Sequence, residues 1–115
     1  MTLKEPGIDQ IFHALADPSR LQMVERLSLG SASVMELAEP LDMALPSVLK
    51  HLKVLENGGL VQSNKSGRVR TYELNFSKLN GINSWLDERK STWNRSFDRL
   101  SQFLIESSEE NSDGV

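Results

Sequence analysis

Seven side chains within residues 47–70 of this 115-residue chain are of types that hold anions: Ser47, Lys50, His51, Lys53, Lys65, Arg68 and Arg70. Ammonium and guanidinium groups bind phosphate as charged donors, and the arginine fork does so bidentately. Serine and histidine hydrogen-bond phosphates or base edges. The first four fall in a run with helical spacing that stops at Gly58 and Gly59; the last three fall in a hairpin-like segment. A short helix followed by an arginine-tipped hairpin suits entry into a major groove with the hairpin along the neighbouring backbone.

The chain as a whole is acidic, with a net charge of −3. The average hides a division. Residues 46–78 hold six basic and two acidic groups, giving +4. Residues 1–45 hold three and seven, giving −4, and residues 79–115 hold four and seven, giving −3. A polyanion responds to the local patch, because exposed charges are screened beyond about 10 Å.

Other chemistries find no support. There is no cysteine, so thiolate metal sites and disulfides are out and a cytoplasmic address is the default. The histidines, His13 and His51, belong to different helices and no set of spaced carboxylates accompanies either, so no metal ligands and no cofactor are expected. Neither a nucleophile–base set nor a Gly-rich phosphate loop is visible, so the chain does not read as an enzyme. No apolar run approaches the roughly 20 residues of a membrane span, and the first seven residues lack the apolar stretch of a signal peptide.

The elements that must position the basic groups follow from periodicity and punctuation. Apolar residues at 8, 11, 12 and 15 predict a helix over Ile8–Ala16. Asp17 as N-cap and Pro18 at the first helical position open a second helix to about Leu29, with Leu21, Val24 and Leu27 or Leu29 inward and Gly30 as its stop. Ser33 and Glu36 have capping-box spacing for a short third helix that ends before Pro40. A fourth helix spans about Leu45–Asn57, burying Leu45, Val48, Leu52 and Leu55, with Lys50, Lys53, Ser47 and Val54 outward and Leu49 and His51 on the flanks. His51 is open to two readings, a local hydrogen bond at the core edge or a contact to phosphate or base. Two strands, 60–63 and 68–74, joined through 64–67, form the hairpin, with Arg68, Arg70, Tyr72 and Leu74 on one face and the arginines projecting toward the tip.

A long final helix runs from Leu79 to about Ile105, its stripe passing through Ile82, Leu86, Arg89, Trp93, Phe97, Leu100 and Leu104. At ~40 Å it outruns a small domain, so a second subunit is expected on it, with Ile8, Ile11, Leu86, Trp93, Phe97 and Leu100 as dimerisation residues. Trp85 and Trp93 read as packing residues rather than a ligand pocket. Residues 107–115 read as a disordered acidic tail, which leaves 1–106 as one domain.

The order helix–helix–helix–helix–strand–strand–helix is that of a winged helix-turn-helix, mainly α with a small β-hairpin wing. Three segments carry a closer resemblance, to the ArsR/SmtB repressors of bacteria: Phe12-His-Ala-Leu-Ala-Asp-Pro-Ser-Arg-Leu21, Val48-Leu-Lys-His-Leu-Lys-Val-Leu-Glu56 with Gly59-Leu-Val61, and Gly67-Arg-Val-Arg-Thr-Tyr72. The resemblance implies a homodimer joined by its first and last helices, binding an inverted-repeat operator until an inducer of unknown identity releases it. It also implies where metal sensors of the family hold their ligands: a Cys-x-Cys pair on the third helix, or Asp and His on the last. Here the third helix reads Val34-Met-Glu-Leu-Ala38 and the last has no histidine, so those sites do not carry over. Positions where relatives often place polar base-reading residues hold Ala44, Leu45 and Leu49. The expectation is a dimeric, sequence-specific transcriptional repressor acting on double-stranded promoter DNA. The rival is a winged helix that binds protein and has no specific DNA site.

Overall fold

The computed structural model describes the backbone of residues 7–113 and the side chains of residues 7–108. In chain order the elements are α1 (Ile8–Leu15), α2 (Pro18–Leu27), β1 (Ala32–Ser33), α3 (Val34–Ala38), α4 (Leu45–Asn57), β2 (Val61–Ser66), β3 (Val69–Leu74) and α5 (Phe76–Asp113). They form two units, one ending at Ile82 and one beginning at Asn83.

Local chemistry sets the boundaries in the first unit. Asp17, in extended conformation, accepts from the amides of Ser19 (2.9 Å) and Arg20 (3.1 Å), and Pro18 fills the first turn of α2 where no amide hydrogen is needed. At α3 the capping box is complete: Ser33 Oγ accepts from the Glu36 amide at 3.2 Å, and Glu36 Oε1 accepts from the Ser33 amide at 3.0 Å. The end of α4 is a Schellman motif. The Leu60 amide reaches the Leu55 carbonyl, and the Gly59 amide reaches that of Glu56. Gly59 sits at φ +77°, where a side chain is strained.

The sheet has three antiparallel strands in the order β1-β3-β2. β1 adds a strand to the expected hairpin; at two residues it is too short to show any alternation, and it exists because Ala32 and Ser33 pair with Tyr72 and Thr71. The hairpin is also tighter than expected. Residues 64–66 continue β2, paired through Ser66 with Val69, and only Gly67 and Arg68 form the turn. Gly67 at φ +64°, with Arg68 at negative φ, fits a two-residue turn of the II′ kind, whose twist matches the strands.

One core organises this unit: Ile11 and Ala14 of α1, Met23 and Leu27 of α2, Leu37 of α3, Val48, Leu52 and Leu55 of α4, and Leu60, Val61, Tyr72 and Leu74 from the hairpin and its approach. The face of α2 differs from the expected one. Met23 and Leu27 are buried, Val24 is half-buried, and Leu21 and Leu29 lie exposed. Ile11, expected at a subunit interface, is 4% exposed inside this core, so of the two α1 residues expected there Ile8 alone, half-buried, retains surface for such a role.

In the second unit α5 carries Trp85, Arg89 and Trp93 as a local cluster. The Arg89 guanidinium lies 4.1 Å over the Trp85 ring, and the two indoles meet edge to face at 6.0 Å. Trp93 is nonetheless exposed, and beyond it so are Phe97, Leu100, Phe103, Leu104 and Ile105. The helix extends past both expected ends. It begins at Phe76, and residues 107–113, expected as an irregular tail, continue it, since that stretch contains neither proline nor glycine. Residues 114–115 of that tail lie outside the described residues. Among the described residues no helix is long and apolar enough to cross a membrane.

Candidate nucleic-acid interface

The short α3, a six-residue connection and α4 form the helix-turn-helix. Burial of Val48, Leu52 and Leu55 turns the opposite side of α4 outward, where Ser47, Lys50 and Lys53 are all exposed. None of these three pairs with a carboxylate among the described residues.

His51 takes the local reading. Its Nδ1 lies 3.0 Å from Nη1 of Arg20, on α2. A guanidinium has only donors, so Nδ1 is the acceptor and the ring proton sits on Nε2. The neighbouring Asp17 carboxylate, 3.9 Å from Nδ1, therefore has no proton to share there and counts as proximity rather than an ion pair. Arg20 also donates through Nε to the Ala14 carbonyl at 2.7 Å and through Nη2 to that of His13 at 3.3 Å, closing the C-terminal end of α1. The Asp17 carboxyl is held below its ordinary range, chiefly by the Arg20 amide, with the Ser19 amide and the Arg20 charge in support against a desolvation cost. Arg20 was not singled out from sequence as a positioning residue; its legible signal is the tetrad Asp17-Pro18-Ser19-Arg20 at a helix junction.

In the wing, Lys65 and Arg70 are direct cross-strand partners. Paired residues in an antiparallel ladder share a face, so two cations stand side by side, with Arg68 next to them in the turn. No carboxylate pairs with any of the three among the described residues. Arg70 does not point to the tip as expected: its Nη1 donates back to Ser63 Oγ at 2.8 Å. Three rungs nearer the base, Gln62 and Glu73 oppose each other and do bond, at 2.8 Å. On the buried face of the wing Tyr72 and Leu74 enter the core as expected, and burial raises the Tyr72 phenol above its usual value.

Between α4 and the wing runs an open groove. Met35, Leu45, Leu49 and Val69 form its apolar surface, and Lys65, Arg68 and Arg70 line its wing side. Leu45 was expected inward with Val48; it is 44% exposed, the same as Leu49. The core reaches the first turn of α4 at Val48 but not at Leu45, which opens onto the groove instead. Among the described residues no cluster of three or more metal-ligating side chains occurs.

Comparison with known proteins agrees with this geometry. Residues 17–63 match the bacterial regulatory protein family arsR. The chain is 36% identical over 96 residues to the HTH-type transcriptional regulator Rv2034 of Mycobacterium tuberculosis, spanning 84% of this chain and 87% of that protein. It is likewise 36% identical over 87 residues to the arsenical resistance operon repressor of Staphylococcus xylosus, spanning 76% and 82%. A crystal structure of an ArsR family transcriptional regulator superposes with a TM-score of 0.72 at 45% identity, covering 76% of this chain and 96% of that one. A helix-turn-helix backed by a basic two-stranded wing, on a sequence this close to known regulators, places the chain in the ArsR family of bacterial regulatory proteins.

Proposed function

We propose that this protein is a cytoplasmic, sequence-specific DNA-binding transcriptional repressor, working as a homodimer on an inverted-repeat operator in double-stranded promoter DNA. The observation that carries the reading is the opposition of Lys65 and Arg70, with Arg68 beside them and no acidic partner among the described residues. Like charges set directly opposite destabilise a ladder by up to ~1 kcal/mol, and a phosphate backbone turns that cost into attraction. Lys50 and Lys53 supply the matching cations on the helix that enters the major groove, and Ser47 a neutral donor. His51, braced by Arg20, keeps Nε2–H as its free donor.

Dimerisation is supported by the apolar side of α5, where Trp93, Phe97 and Leu100 are exposed and Leu86 is half-buried; on α1, Ile8 is half-buried as well. Exposed apolar stretches of this kind mark interfaces, and a two-fold axis would set two half-sites about one helical turn apart. The relatives are regulators rather than enzymes. Any inducer is not an arsenical or metal held by thiolates, because the chain has no cysteine.

Selection of bound duplexes from a random pool tests the reading. A recovered palindromic motif, bound more tightly than random duplex at physiological salt, is the expected result. Equal binding to random duplex would remove it in favour of a protein-interaction module.

A further inference from the structure

The groove beside α4 carries an inference about which base edges this protein reads. Leu45 and Leu49 lie one helical turn apart and are equally exposed, at 44% each, in the N-terminal half of the helix. Recognition helices address base edges with residues near their N-termini. Leucine has no hydrogen bond to offer there; leaving a base donor or acceptor against it unpaired carries a cost. The major-groove feature that a leucine side chain complements is the C5 methyl of thymine. That methyl lies on the side of the pair nearest its own strand's backbone, and the groove holding both leucines is bordered by Lys65, Arg68 and Arg70. An apolar ridge with a cationic edge matches a methyl with phosphates beside it.

Resting on the DNA-binding reading above, we infer that Leu45 and Leu49 are specificity-determining residues, which read thymine methyl groups in each operator half-site. The lysines of α4 and the wing hold the backbone, and the two leucines choose among bases by shape and hydrophobicity. Val69, exposed on the wing and facing the same groove, adds apolar surface opposite them. This assigns the occupant of the groove: the pyrimidine edge of a T·A pair with its flanking phosphates.

The test replaces thymine by deoxyuridine, one position at a time, in the duplex recovered from the random pool. Each replacement removes one methyl and leaves all hydrogen-bonding groups in place. Burying a methyl-sized group is worth about fourfold in affinity. One or two positions per half-site should therefore weaken the unaltered protein about fourfold each, read by fluorescence anisotropy. Leu45→Ala and Leu49→Ala, both at exposed positions, should bind the thymine duplex more weakly and lose the distinction between thymine and uracil. If the unaltered protein binds every substituted duplex as tightly as the parent, the inference is overturned while DNA recognition stands. If the pool yields no preferred sequence, the DNA-binding reading itself fails. If the leucine variants change only the oligomeric state, the groove holds a second copy of this chain, and the inference is overturned too.

Discussion

Arg20 Nη1 donates to His51 Nδ1 at 3.0 Å, tying α2 to the centre of α4, while the other guanidinium nitrogens close the end of α1. One side chain thus braces three helices. The lysines of α4 are aimed outward by that helix's orientation, so the brace joins packing to DNA recognition. Arg20→Ala should destabilise the fold by about 1–3 kcal/mol, measured by urea unfolding. Arg20→Lys should recover only part of it, because a single ammonium cannot span three acceptors. A variant as stable as the parent would remove the bracing role.

Acid should weaken the fold through two helix caps. Asp17 is held below its ordinary value of 3.8 chiefly by the Arg20 amide, and Glu36 below 4.5 chiefly by the Ser33 amide. Because each carboxyl titrates lower when folded than unfolded, each contributes stability above its ordinary value and loses it as pH falls through the folded value. Asp17→Asn and Glu36→Gln should each flatten the fall in stability below about pH 4. Melting temperatures across an acid pH series check this; slopes unchanged from the parent would count against these caps.

Charge opposition in the wing predicts effects of opposite sign. Lys65→Glu replaces a like-charge rung with an attractive one facing Arg70. It should stabilise the free protein by up to ~1 kcal/mol while weakening operator binding. Lys65→Ala and Arg70→Ala should each lower the slope of log affinity against log salt by about one. Paired thermal melts and salt titrations separate the two effects, and a salt slope that does not move would take the wing off the phosphates.

Gly59 predicts a purely conformational cost. At φ +77° it lets the Schellman motif close between α4 and β2. Gly59→Ala should cost about 1–2 kcal/mol for the left-handed conformation, read by denaturant unfolding. The space is adequate, since an added Cβ would approach only the Lys78 side chain, at 3.4 Å. A neutral substitution would mean that the backbone there relaxes freely.

The apolar side of α5 predicts the oligomeric state. Phe97, 63% exposed, should tolerate Phe97→Glu in a monomer but not at a subunit interface. Sedimentation should show the parent as a dimer and the variant shifted to monomer, with much weaker operator binding. A parent that sediments as a monomer would refute the pairing.

Much of this was legible one residue at a time. Asp17-Pro18, the Ser33–Glu36 spacing and Gly58-Gly59 act through neighbours a few residues away, so the starts of α2 and α3 and the end of α4 follow from the sequence. The charge division is legible for the same reason: it depends on order alone. Other features needed the folded chain. β1 is two residues long and is held by a partner some forty positions away. Residues 64–66 have weak strand preference of their own and are drawn into β2 by Thr71, Arg70 and Val69 across the ladder. Whether Leu45 is inside or outside depends on where the core stops, and whether His51 is free depends on Arg20, thirty-one residues away. Periodicity names the face of a helix, but only long-range packing decides how far along that face the protein interior reaches.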